Sequence, residues 1–122
     1  MKKKIDALES ILRDLEQNCD IDGAAIVTER GQSVASSLPQ NTEEKAVSAM
    51  AAAMLSIGNR VGDALDAGAP KSILIDGENN SVILRGLGRI LLIGIAPPDA
   101  EIGLIGFELN QAAKRLQDHF SR

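Results

Sequence analysis

Ile5, Leu8, Leu12 and Leu15 follow one another at steps of three and four residues, with Ile11 beside them and Asp, Glu, Arg and Lys between. The spacing predicts an amphipathic helix over about residues 3–18. After Cys19-Asp20-Ile21-Asp22-Gly23 the period changes. The short runs AAIVT and SVAS, joined by Glu29-Arg30-Gly31-Gln32, predict two strands and a glycine-bearing turn. Pro39 and Gln40 then break the pattern, and Asn41, three residues before Glu44, predicts the start of a long helix through a capping box. Gly68 as a left-handed cap and Pro70 predict its end, so that roughly 26 residues form a rod of about 39 Å. SILID, SVILR and RILLIGIA follow, separated by Gly77-Glu78-Asn79-Asn80 and Gly86-Leu87-Gly88, and predict a three-stranded antiparallel meander. Pro97 and Pro98 stop the sheet. A last helix is expected from Asp99 to about Asp118, with Ile102, Ile105, Leu109, Ala112, Leu116 and Phe120 on one face; Leu104 and Phe107 lie off that face, which favours packing on the first helix over a partner patch.

The long helix carries two seams. At 100° per residue, Val47, Met50, Met54, Ile57, Val61 and Leu65 form a bulky stripe suited to covering a sheet. Beside it run Ala51, Leu55, Gly58 and Gly62, almost all small. An interior glycine costs a helix about 1 kcal/mol relative to alanine, so two of them need a compensating gain. Either a second helix approaches closely at this stripe, or the glycines clear a loop of the same subunit. The strand SILID poses a related problem, because an edge carrying Ile73, Leu74 and Ile75 invites pairing with another strand. A twofold homodimer would satisfy both surfaces.

Composition narrows the function. The 122 residues are 44% hydrophobic and 25% charged, consistent with one domain over 1–122. Two phenylalanines are the only aromatic residues, and the net charge is -4, so base stacking and a phosphate-attracting field are both lacking. Lys2, Lys3 and Lys4 read as a solvated end. No nucleic-acid partner is expected. Nor is membrane insertion, since no window approaches the roughly 18 apolar residues of a span and the N-terminus lacks the apolar core of a signal peptide. Cys19, the single cysteine, allows neither an intrachain disulfide nor a cysteine zinc cluster and suits a reducing, cytoplasmic setting.

Candidate chemistry is sparse. His119 lies near the end of the last helix without a nucleophile nearby in sequence, and Cys19 reads as a partly buried structural thiol. The runs at Asp20-Gly23 and Asp76-Asn80 are incomplete as calcium loops and read as turns. The G-x-G of Arg85-Gly86-Leu87-Gly88-Arg89 lies between strands, so it fails as a dinucleotide fingerprint. No catalytic residues, metal or cofactor are expected.

The element order, the small-residue helix and the closing block NSVILRGLGRILLIGIAPPDAEIGLIGFELNQAAKRL together resemble the roadblock / dynein light chain family, in particular its prokaryotic members. The opening DIDGAAIVTERGQSVAS is similar to the family's first hairpin. The resemblance implies an α+β fold in the order α-β-β-α-β-β-β-α. Its five-stranded antiparallel sheet would have the long helix on one face and the terminal helices on the other, in a roadblock/profilin-like sandwich. It also implies a homodimer through the long helix and the next strand, placing Met50, Met54, Leu55, Gly58, Val61, Gly62 and Leu65 and Ser72, Ile73, Leu74, Ile75 and Asp76 at the interface. Family members bind Ras-like small GTPases as regulators, or act as scaffolds. The resemblance therefore implies a non-catalytic regulator of a Ras-like GTPase. The alternative is a scaffold subunit that leaves nucleotide turnover unchanged, and a small-molecule sensor is a third reading, disfavoured by the absence of Trp and Tyr. The polar side of the long helix, Ala52, Ser56, Asn59, Arg60 and Asp63, is the secondary candidate for partner contact. Arg60 is the arginine expected to act on a GTPase, ahead of Arg30, Arg85 and Arg89.

Overall fold

Eight elements form in the expected order: α1 (Lys2–Asn18), β1 (Gly23–Thr28), β2 (Ser33–Ser36), α2 (Glu44–Ala64), β3 (Ile73–Asp76), β4 (Ser81–Leu87), β5 (Ile90–Ala96) and α3 (Ile102–Phe120). The computed structural model describes residues 2–120. The side chains of residues 1–5 and 119–122 lie outside the described set, and with them the expectations for Lys2, Lys3, Lys4, Ile5, His119 and Phe120. The strands form one antiparallel sheet in the order β2-β1-β5-β4-β3.

Both faces of the sheet are covered, which is why β1 and β5 read as nearly continuous apolar runs instead of alternating ones. On one face Ala24, Ile26, Ile83, Ile90 and Leu92 meet Leu8, Ile11, Leu12 and Leu15 of α1 and Ile105, Leu109, Ala112 and Leu116 of α3. On the other, Ala25, Val27, Leu84, Leu91 and Ile93 meet Ala51 and its neighbours on α2. Each fully buried Leu or Ile contributes about 1.5–3 kcal/mol, so the α1/α3 layer, which buries more of them among the described residues, dominates the core. Arg115 and Asp14 join the two terminal helices at 2.8 Å. Glu16 of α1 accepts a hydrogen bond from Ser37, just beyond β2.

The long helix sits differently from the sequence expectation. Its small line faces the sheet, with Ala51 buried and Gly62 among the buried residues of α2. The bulky stripe is split: Val47 and Met54 pack on the sheet, while Met50, Ile57, Val61 and Leu65 face outward and are 57%, 58%, 50% and 74% exposed. The reason is steric. A Cβ on Gly58 would lie 2.9 Å from Ile73 Cδ1, and one on Gly62 would lie 2.0 Å from the Gly68 carbonyl oxygen. On the sheet side, a Cβ on Gly86 would lie 3.0 Å from Leu55 Cδ2. The two helix glycines therefore admit the chain's own returning loop and β3, the intrasubunit alternative.

Other boundaries also move. The capping box at Asn41 does not form. Glu43 is the N-cap and makes no side-chain cap bond, while Glu44 accepts a hydrogen bond from Ser36 Oγ at 3.0 Å. At the other end the Ala67 N–H donates to the Gly62 carbonyl (2.7 Å) and the Asp66 N–H to that of Asp63 (3.2 Å), with Asp66 at φ 59. This is a Schellman cap whose left-handed residue is Asp66, not Gly68, and the helix ends earlier than expected. Gly86 lies within β4, and the turn is the two-residue pair Gly88-Arg89 between Leu87 and Ile90. The last helix begins at Ile102, because Pro98 and Asp99 are taken up by a turn closed by the Ala100 N–H on the Pro97 carbonyl. Leu104 and Phe107 are exposed and do not pack on α1. The two acidic runs meet: Asn80 Nδ2 donates to Asp22 Oδ2 at 2.9 Å and to the Ala96 carbonyl at 3.2 Å.

Cys19 is buried and its thiol donates to the Leu15 carbonyl at 3.3 Å. Burial, then the charges of Glu108 and Asp20, push its pKa up to about 11. Because the unfolded thiol ionises near 9 while the folded one keeps its proton, this contribution to stability is intact below the lower value and is lost as pH rises toward the upper one. Denaturant titrations at mildly and strongly alkaline pH should show a fall in stability that Cys19→Ala lacks.

Two substitutions test the seating of α2. Gly62→Ala should destabilise by at least about 2 kcal/mol, since the carbonyl it strikes belongs to backbone. Asp66→Gly should stabilise by about 1 kcal/mol by relieving the left-handed strain. Equilibrium unfolding in urea measures both.

Candidate functional site

The seating of α2 divides its surface into three flanks. The inward line, through Ser48, Ala51, Leu55, Gly58 and Gly62, is occupied by the protein itself. On one side of it lies the bulky flank of Met50, Ile57, Val61 and Leu65. On the other side, at 100° per residue, lie Ala52, Ser56 and Asn59.

α2 meets β3 where Gly58 approaches Ile73. That strand is the terminal one of the sheet and pairs only with β4, so one of its backbone edges has no strand partner. Leu74 and Ile75 are 51% and 41% exposed, and Ser72 and Asp76 are exposed as well. Of the expected interface residues, Met50, Val61, Leu65, Ser72, Leu74, Ile75 and Asp76 are therefore at the surface. Leu55, Gly58, Gly62 and Ile73 are engaged with the chain's own sheet and loop, and Met54 is partly buried with them. Ile57, absent from the expected interface, is more exposed than most of its members. Its place on the bulky stripe was the available signal.

The polar flank faces two turns. Gly31, at φ 85, seats the β1–β2 turn against the helix, where a Cβ would lie 2.9 Å from the Ala49 Cα. The β4–β5 turn is tied beside it by the Glu29 N–H, which donates to the Arg89 carbonyl at 2.9 Å. A groove of about 400 Å³ results, bounded by Ala52, Ser56 and Asn59 on α2 and by Glu29, Arg30 and Gly88 on the turns. Glu29 and Arg30 also border a neighbouring hollow of about 570 Å³ that includes Arg89. Arg60 and Asp63 are exposed but line neither. The helix side of this groove is made by Ala52, Ser56 and Asn59 of the expected polar flank, and the arginines that border it or the adjoining hollow are Arg30 and Arg89 of the turns. Turns 60 residues apart are brought together only by β1 pairing with β5, which no local pattern reveals.

Among the described residues no group of three or more His, Cys, Asp or Glu side chains could hold a metal ion. The raised pKa of Cys19 keeps its thiol protonated at neutral pH, so it is no nucleophile. Among the described residues no helix is long and apolar enough to cross a membrane.

Comparison with known proteins agrees with this architecture. The uncharacterised protein MJ1340 of Methanocaldococcus jannaschii is 25% identical over 113 residues, covering 93% of this chain and 99% of that one. The fold matches Myxococcus xanthus MglB with a TM-score of 0.90 at 16% identity, over 96% of this chain and 90% of that one. It matches a Roadblock/LC7 domain from Streptomyces avermitilis with a TM-score of 0.86 at 15% identity, over 93% and 98%. The family model for the Roadblock/LC7 domain matches residues 7–96. The outward-facing bulky flank of α2, the open β3 edge and the groove beside the β1–β2 turn are therefore features of a chain that belongs to the Roadblock/LC7 domain family.

Proposed function

We propose that the protein is a homodimeric, non-catalytic regulator that binds a Ras-like small GTPase and alters its GTP hydrolysis. The observation that carries the reading is the presence of two uncovered surfaces on elements that touch through Gly58 and Ile73, the exposed apolar flank Met50, Ile57, Val61 and Leu65 of α2 and the free edge of β3. An exposed apolar stripe beside an unpaired strand is an aggregation hazard unless a partner covers it, and a twofold axis lets one copy cover the other. Strand pairing and helix packing together can reach the 1,200–2,000 Å² or so that stable interfaces bury.

Membership of the roadblock family supports the choice of partner. The arginine groove supports a mode of action. It lies on the opposite flank of α2 from the dimer seam and stays open when the seam closes. Hydrolysis of a nucleotide triphosphate is limited by positioning and by neutralising developing charge, and an arginine supplied in trans serves the second need. Arg30 and Arg89 border the same hollow, so they replace Arg60 as the arginines to test.

Sedimentation at micromolar concentration should give twice the 12.9 kDa chain mass, and the double variant Ile57→Glu, Val61→Glu should sediment as a folded monomer. Immobilised wild-type protein should retain a Ras-like GTPase from lysate of the source organism with a non-hydrolysable GTP analogue and not with GDP. Arg30→Ala with Arg89→Ala should lower its stimulated hydrolysis by about tenfold or more. A tight complex with unaltered hydrolysis would favour the scaffold reading, and a monomeric wild type would overturn the dimer.

A further inference from the structure

The face of the sheet opposite α2 carries a cavity separate from the arginine groove, with Ser72 and Leu74 of the β3 edge at its rim. It lies between β3, β4 and α3 and holds about 160 Å³. Ile83 and Leu109 line its buried part, and Leu74 and Ile102, both partly exposed, stand at its mouth. Arg85 and Ser72 are the only polar residues in the lining. Two positions after Ile83 on β4, Arg85 turns its side chain to the same face.

Arg85 Nε is buried and has no hydrogen-bond partner, the one such side-chain nitrogen or oxygen among the described residues. Leaving a buried donor unmade costs about 1–3 kcal/mol, more for a charged group. A second unexplained expense lies across the cavity. Gly106, inside α3, has no atom within 4 Å of the place its Cβ would occupy, so, unlike Gly62, nothing in the chain requires it to be glycine. Its lack of a side chain leaves the cavity open.

We propose that this cavity binds a small aliphatic monocarboxylate. The carboxylate accepts from the part of the Arg85 guanidinium that lines the cavity, a charge-assisted pair stronger than a neutral hydrogen bond. The alkyl chain lies against Ile83, Leu109, Leu74 and Ile102. The volume is close to that of the roughly 150 Å³ engineered cavity that accepts benzene, which sets the tail at about six carbons. An amine would be repelled by Arg85, and a polyol would leave hydroxyls unpaired against apolar walls.

Hexanoate is the probe. In a proton–nitrogen and methyl NMR titration of the intact protein, hexanoate should shift Arg85 Nε–H and the methyls of Leu74, Ile83, Ile102 and Leu109, saturating with a Kd of about 1 mM. 1-Hexanol should bind at least about tenfold more weakly, and Arg85→Met should reduce hexanoate to the level of the alcohol. Gly106→Leu fills the cavity while raising helix propensity, so a folded variant that no longer binds is expected. No saturable shift, shifts centred elsewhere, equal binding of the alcohol, or unchanged binding to folded Gly106→Leu would each overturn the proposal. Because Ser72 and Leu74 also belong to the β3 edge of the proposed seam, the oligomeric state is read separately by sedimentation of the hexanoate-free protein, so a failure of this proposal is distinguishable from a failure of the dimer.

Discussion

The approach of α2 to its own sheet and to the loop that follows it is the constraint from which the rest descends. With the Gly68 carbonyl 2.0 Å from where a Gly62 Cβ would be, and Ile73 against Gly58, the helix can be seated only on its small line. Rotating it to bury the bulky stripe would remove the space through which residues 65–70 return to β3. The helix therefore gives up burial of several large side chains to gain close packing, a loss that folding of the single chain does not recover.

That loss organises the surface. The side chains turned outward form one apolar flank, the sheet ends at β3 in an edge without a strand partner, and the other flank of the helix closes against the β1–β2 turn and carries the polar groove. One helix thus separates an exposed apolar surface from a polar groove. The α1/α3 face, which holds most of the core, supplies rigidity to both and keeps Cys19 out of reach of solvent chemistry.

Much of this was legible in the residues. The periodicity of α1, the hairpin and meander runs and the proline stops fix element order, because each rests on local chemistry. The seating of α2 was not legible. Hydrophobicity ranks Met50 and Ile57 above Ala51 and Gly58 as core, and only the path of the loop reverses that ranking. Likewise Asn41 had a capping sequence, but Ser36 occupies Glu44 instead. Asp66 took the left-handed position expected of Gly68 because the cap forms where the loop must turn. The convergence of Arg30 and Arg89 depends on the β1–β5 pairing, and the orphaned Arg85 nitrogen depends on the α3 packing. Both are long-range outcomes without a sequence period.

The central claim is that a second copy covers the outward flank of α2 and the edge of β3. Hydrogen exchange of the β3 amides that do not bond to β4, followed across a dilution series, tests it most directly. Protection of Ser72 to Asp76 that is strong when concentrated and falls on dilution, in step with loss of protection on the bulky flank of α2, is the expected result. Fast exchange at those amides at every concentration would contradict it.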